Sequence, residues 1–209
     1  MKSDTLLTGE NLQKKAKHQK EEMNFTDYFQ DFQDMLVKSL ADEDNQRGLL
    51  DAVEMIRETK KNKTKIILIG NGGSSAIAEH MATDLTKNAG FRAVTLSGSP
   101  QLTTFANDYG YERVYSKFIE KSADKGDVLI AISSGGESPN ILNAVASAQK
   151  IGCQVITFSA FESDNSLRKL GDINIYVASR AYGYIEIIHN LLIHFINDKI
   201  IGSAVYKFR

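Results

Sequence analysis

Five short apolar runs punctuate the chain: Ile66-Ile67-Leu68-Ile69, Ala93-Val94-Thr95-Leu96, Val128-Leu129-Ile130-Ala131-Ile132, Val155-Ile156-Thr157-Phe158 and Ile173-Asn174-Ile175-Tyr176-Val177. Most are rich in β-branched residues, and stretches of helical periodicity separate several of them. Runs that stay apolar, rather than alternating with polar residues, mark strands covered on both faces. The pattern predicts an α/β fold: a parallel sheet with helices on both sides. Ligands of such sheets bind beyond the carboxyl ends of the strands, so chemistry is expected just after each run.

Before the first run, apolar residues recur at three- and four-residue steps. Phe25, Tyr28, Phe29, Phe32 and Leu36 form one stripe; Leu49, Val53 and Ile56 form another. Both predict amphipathic helices. Their stripes must be covered by the sheet domain or by the same helices of another subunit. The stretch from Tyr182 to Ile201 is apolar nearly all round, which predicts a helix buried on most sides and suited to a subunit interface. Residues 1–22 are polar and rich in Lys, Gln and Glu, and read as a tail. The expected organisation is that tail, a helical segment over 23–60 and an α/β domain over 61–209.

Composition narrows the function classes. The chain has 209 residues, 42% hydrophobic and 24% charged, as expected for one large soluble domain with an N-terminal extension. A net charge of −1 supplies no basic field, so neither nucleic acid nor an anionic membrane is an expected partner. The one cysteine, Cys153, excludes a disulfide within the chain and reads as a buried small residue in a reducing compartment. No run has the core of a signal peptide or the length of a bilayer span. A cytoplasmic protein is expected.

Two turns stand out. After the first run comes Gly70-Asn71-Gly72-Gly73-Ser74-Ser75, leading into a helical pattern. Glycines let backbone N–H groups approach an anion, the helix N-terminus adds partial positive charge, and Ser74 and Ser75 can cap the helix or offer hydroxyls. The turn is neither a P-loop nor the dinucleotide pattern. After the third run comes Ser133-Ser134-Gly135-Gly136-Glu137-Ser138-Pro139-Asn140, again entering a helix. Three hydroxyls and two glycines suit a phosphate monoester. Two such turns in one sheet point to a phosphorylated ligand. Between them lies a loop pair, Asn107-Asp108.

Titratable groups cluster on two predicted helices. His80 and Asp84 are four apart and face one way. Glu186, His189 and His194 lie on the C-terminal helix. Spacing alone pairs Glu186 with His189, whereas Glu186 and His194 are about 80° apart around an ideal helix and can also converge. Two imidazoles and two carboxylates suit a zinc-type ion, and equally suit an acid and a base that move a proton beside a carbonyl.

Taken together and in order, these pieces resemble the sugar isomerase (SIS) family in its phosphoheptose isomerase branch. The matching pieces are Gly70-Asn71-Gly72-Gly73-Ser74 with His80 and Asp84, Asn107-Asp108-Tyr109-Gly110, the turn at 131–138, and Glu186 to His194, spanning about residues 25–200. The resemblance implies a flavodoxin-like three-layer sandwich around a five-stranded parallel sheet with N-terminal helices. It implies a homotetramer with sites between subunits, and conversion of sedoheptulose 7-phosphate to D-glycero-D-manno-heptose 7-phosphate for bacterial surface polysaccharide. It assigns substrate contacts to Asn71, Gly72, Gly73, Ser74, Asp84, Asn107, Asp108, Ser133, Ser134, Gly135, Ser138 and Glu186. It assigns one zinc to His80, Asp84, Glu186 and His194, and acid–base work to Asp84 and His194. The family pattern has Glu at position 84, Gln at 186 and Ser at 135. The shorter Asp84 must work at closer range, and the charge of Glu186 favours a cation over a bare phosphate nearby.

Three other readings compete. A related chain could act on another phosphosugar. A non-catalytic interaction protein of this fold, like the replication-initiator-associating protein of bacteria, would be expected to lack the histidine and carboxylate set. Amidotransferase-type synthases of this fold are longer and carry a glutaminase domain.

Overall fold

The computed structural model describes residues 24–96 and 98–205. The polar tail expected over 1–22 lies outside them. By its contacts the chain divides into two compact units, Met1–Asp34 and Met35–Arg209. The division falls inside the first helix, α1 (Phe25–Ala41), so the unit boundary differs from the expected segment over 23–60. Phe25 and Phe29, two of the five residues of the predicted α1 stripe, are exposed.

The second unit carries α2 (Glu43–Asn62), β1 (Ile66–Gly70), α3 (Gly73–Lys87), β2 (Ala93–Thr95), α4 (Ser99–Tyr109), a 3₁₀ turn at Tyr111–Arg113, α5 (Val114–Ser122), β3 (Val128–Ser133), α6 (Pro139–Ile151), β4 (Gln154–Ala160), a 3₁₀ turn at Leu167–Lys169, β5 (Ile173–Val177) and α7 (Tyr182–Ile201). All five predicted strands form. They pair in parallel in the order β2-β1-β3-β4-β5. That order reverses between β1 and β3, where a crevice opens at the carboxyl ends.

The apolar runs explain the layers. Ile67, Ile69, Leu129, Ala131 and Val155 pack under α5 and α6 with Val114, Phe118, Ile141 and Val145. The alternate residues Ile66, Leu68, Val128 and Ile130 are equally buried, on the face covered by α2, α3 and α7. The result is the three-layer sandwich with helices on both faces. Cys153 sits in the first of these cores, its thiol facing the Asp124 carbonyl at 3.6 Å, and burial pushes that thiol up to about 11.

The exposed edge of β5 is closed by one side chain. The buried Asn45 amide donates to Tyr176 O at 2.8 Å and accepts from Tyr176 N–H at 2.9 Å, so α2 acts as a strand surrogate there. At the opposite end of the sheet from the crevice, buried Asp127 accepts from Lys65 N–H at 2.9 Å and Asp124 N–H at 2.7 Å, and meets Lys65 Nζ at 2.6 Å.

One expectation is corrected. α7 has the predicted limits but is not buried on most sides. Ile185, Ile188, Leu192 and Ile196 face the core, while Ile187, Leu191 and Phe195 form a bare stripe at four-residue spacing. Among the described residues, no helix is long and apolar enough to cross a membrane.

Gly70 marks where β1 must stop short of its helix. A Cβ there would lie 2.6 Å from the carbonyl carbon and oxygen of Ser74, both backbone and unable to give way. Gly70→Ala is expected to cost about 1–3 kcal/mol, lowering the melting temperature by roughly 2–4 °C per kcal/mol. An unchanged thermal melt contradicts this account of the turn.

Candidate functional site

Beyond β1 the chain turns through Asn71 and Gly72 into α3. Gly72 holds the cap position at φ +54° and ψ −123°, a backbone conformation that residues with side chains rarely adopt, although the space around it is open. No side chain caps α3, and Ser74, expected to do so, lies inside the first turn with its N–H on Asn71 O at 3.0 Å. The buried Tyr115 hydroxyl donates to Gly70 O. Burial, with Tyr111 nearby, pushes that phenol up to about 12, so it stays a donor.

Beyond β3 lies the serine turn. Ser133 and Ser134 are buried, and Ser138 occupies the cap position of α6 without capping it. Its hydroxyl instead faces Ser133 Oγ at 3.3 Å. Pro139 follows at the first helical position, where its missing N–H costs nothing. The turn is anchored from outside: Ala160 N–H donates to Ser134 O (2.9 Å) and Leu167 N–H to Gly136 O (3.0 Å). Glu137 accepts from Ser166 N–H and Oγ, both at 2.7 Å, and these bonds hold its carboxyl below the usual range. A Cβ on Gly135 would touch the Phe161 ring at 3.6 Å, so this ring stands beside the turn where the family pattern has a serine side chain. Phe161 itself is held at φ +59°, with its N–H on Ser179 O (3.0 Å) and its carbonyl accepting from Tyr176 OH (2.7 Å).

The third component is the seam between α3 and α7. A Cβ on Gly73 would collide with the Glu186 carboxylate, so that carboxylate lies against the N-terminus of α3. A negative charge is favoured there by the helix dipole. Farther along the seam, Asp84 Oδ2 lies 3.5 Å from His80 Nε2 and 3.8 Å from His194 Nδ1. The two imidazoles meet edge to face with centroids 4.9 Å apart.

The predicted site residues therefore sort as follows. His80, Asp84 and His194 converge. Asn71, Gly72, Gly73, Ser74 and Glu186 gather at the β1 turn, and Ser133, Ser134, Gly135 and Ser138 at the β3 turn. Glu186, expected as a fourth ligand, is not in that group of three, and its carboxylate lies against Gly73. Asn107 and Asp108 are in the last turn of α4, not in a loop, and their exposed side chains bond each other at 2.9 Å. His189 is fully buried against β4, with Nε2 on Ser159 O at 3.2 Å and Nδ1 without a hydrogen-bond partner. Sequence reasoning missed Tyr111, Tyr115 and Asn140, which brace the β1 turn; the four-residue spacing of the two tyrosines was the available signal.

The triad suits a metal. Its three donor atoms lie within 4.8 Å of one another. Tetrahedral zinc with bonds of roughly 2.0–2.1 Å places donors roughly 3.4 Å apart, close to the two Asp84 distances. Two imidazoles and a carboxylate are also a zinc-type donor set.

A SIS domain model matches residues 27–160, and the chain belongs to the SIS domain family. It is similar to the phosphoheptose isomerase of Aliarcobacter butzleri, 39% identical over 155 residues covering 71% of this chain and 82% of that one. It is also similar to that of Helicobacter pylori, 36% identical over 178 residues covering 82% and 91%. The solved phosphoheptose isomerase of Neisseria gonorrhoeae superposes with a TM-score of 0.80 at 28% identity, covering 92% of this chain and all of that one. Within the family, the chain stands among the phosphoheptose isomerases.

Burial holds the His189 imidazole down to about 4. The unfolded chain takes up that proton near pH 6.5, so unfolding free energy falls with pH between about 6.5 and 4. Urea unfolding at pH 7 and pH 4.5 should show a loss of about 2–3 kcal/mol from this group, absent in His189→Gln. Identical pH dependence in the two proteins contradicts it.

Proposed function

We propose that this protein converts sedoheptulose 7-phosphate to D-glycero-D-manno-heptose 7-phosphate through a cis-enediol, supplying heptose for bacterial surface polysaccharide. The observation that carries the reading is the meeting of Asp84 with His80 and His194 from two distant helices, on a seam whose other end lies at the β1 turn. This retained set also separates the chain from a non-catalytic relative.

The phosphate binds the serine turn, held by Ser133, Ser134 and Ser138 and by the N-terminus of α6. That anchoring supplies binding energy away from the reacting carbons. Asp84 and His194 share the proton traffic: one proton leaves the carbon bearing the terminal hydroxyl, and one arrives at the neighbouring carbonyl carbon. The hydroxyl proton passes in the same sense, from the oxygen of the terminal carbon to the former carbonyl oxygen. Glu186 and the β1 turn hold the sugar hydroxyls. His80, Asp84 and His194 would hold a zinc ion, whose chemistry when bound is to polarise the paired oxygens of the substrate.

The same reading makes the protein a cytoplasmic homotetramer. Leu191 and Phe195 of the bare stripe, with Leu40 and Leu50, line an apolar cavity of about 440 Å³ that a second copy would fill. Leu191 and Phe195 flank His194 on α7, so a copy seated there would also cover the triad.

A coupled assay with sedoheptulose 7-phosphate should show turnover that His194→Ala reduces by about 10²–10⁴-fold. Near-normal turnover in that variant refutes the role. Metal analysis after zinc supplementation should find zinc in the protein and little in His80→Ala; equal content in both removes the metal assignment. Leu191→Glu should shift sedimentation towards smaller species, and an intact tetramer removes this face from the interface.

A further inference from the structure

The two turns belong to different strand–helix units, and one side-chain pair spans them. Asn71 of the β1 turn faces Asn140, the second residue of α6. Asn71 Nδ2 donates to Asn140 Oδ1 at 2.9 Å, and Asn140 Nδ2 donates to Asn71 Oδ1 at 2.8 Å. The orientation follows from chemistry: Ile141 N–H, 3.0 Å from Asn140 Oδ1, can only face an acceptor, and this sets both amides. The Tyr111 hydroxyl adds a third bond, to Asn71 Oδ1 at 3.0 Å. Asn140 is only 2% exposed.

We propose that Asn140 is a positioning residue. Through Asn71 it clasps the β1 turn to the start of α6, and so sets the distance between the phosphate turn and the reacting groups on α3. The inference rests on the isomerase reading, within which nothing yet assigns Asn140 a task. A reciprocal amide pair suits the position because it donates and accepts in one plane and carries no charge beside a phosphate dianion. It also redefines Asn71. Its Oδ1 accepts two bonds and its amide nitrogen is held in the clasp with one N–H left to donate, so the β1 turn meets substrate through backbone N–H groups and that one remaining donor. With Asn140 buried and the two amides bonded reciprocally, the clasp holds the two elements together; half of it would leave an unsatisfied amide.

The test compares Asn140→Ala, Asn71→Ala and the double variant in the heptose phosphate assay. Each single substitution should lower kcat by about 10- to 100-fold, as expected when reacting groups shift by about 1 Å, with KM changed less than about threefold. The double variant should be no slower than the worse single, because either deletion opens the same clasp. Hydrogen exchange at residues 72–75 should quicken in Asn140→Ala although the substitution lies on another element. Asn140→Asp keeps the acceptor and loses the donor, so an intermediate kcat and a raised KM are expected; it serves if the alanine variant fails to fold. Additive losses, an effect on KM alone, or unchanged exchange at 72–75 overturns the clasp. An unsubstituted protein that does not turn over the sugar sinks the isomerase reading instead, and the exchange comparison still decides the clasp.

Discussion

The site depends on two helices, far apart in the chain, running side by side in the same direction. Glu186 meets α3 at Gly73, and eight residues on, His194 meets it at His80 and Asp84. The first contact exists only because residue 73 has no side chain. α3 is in turn held by β1, whose residues Ile66 to Ile69 are at most 1% exposed. Burying each such side chain is worth about 1.5–3 kcal/mol. Core packing therefore fixes the seam, and the seam fixes where imidazole and carboxylate converge.

The two glycine-rich turns begin alike and end differently. Both sit at strand ends and feed helix N-termini, so each could receive an anion. At the β1 turn, the protein's own Glu186 carboxylate already occupies the helix terminus. At the β3 turn the neighbouring carboxylate, that of Glu137, is instead held by Ser166. The two helix termini therefore differ in charge, since the β1 turn already holds a carboxylate of the protein itself.

The strands and α7 were legible because their signal is local: apolar runs, short for the strands and long for the helix. The His80–Asp84 pair was legible from its four-residue spacing. The burial of His189 could have been read too. Five residues on from it, His194 is about 140° round the helix, so the two cannot share a face. What no spacing shows is contact between elements. Asn140 directly after Pro139 reads as a helix start, and Tyr111 as a surface aromatic; their bonds to Asn71 exist only once β1 and β3 lie together. The bareness of Phe25, Phe29 and Leu191 was likewise hidden, since periodicity reports an apolar face without reporting what covers it.

The buried sulfur of Cys153 has a consequence for how this molecule ages. Thiol chemistry runs through the thiolate, and a group held near 11 inside an apolar core offers almost none at neutral pH. Peroxide and glutathione therefore find no handle on the folded chain at its one cysteine. Oxidative damage must enter by another door, through methionine sulfur or through momentary opening of the layer beneath α6.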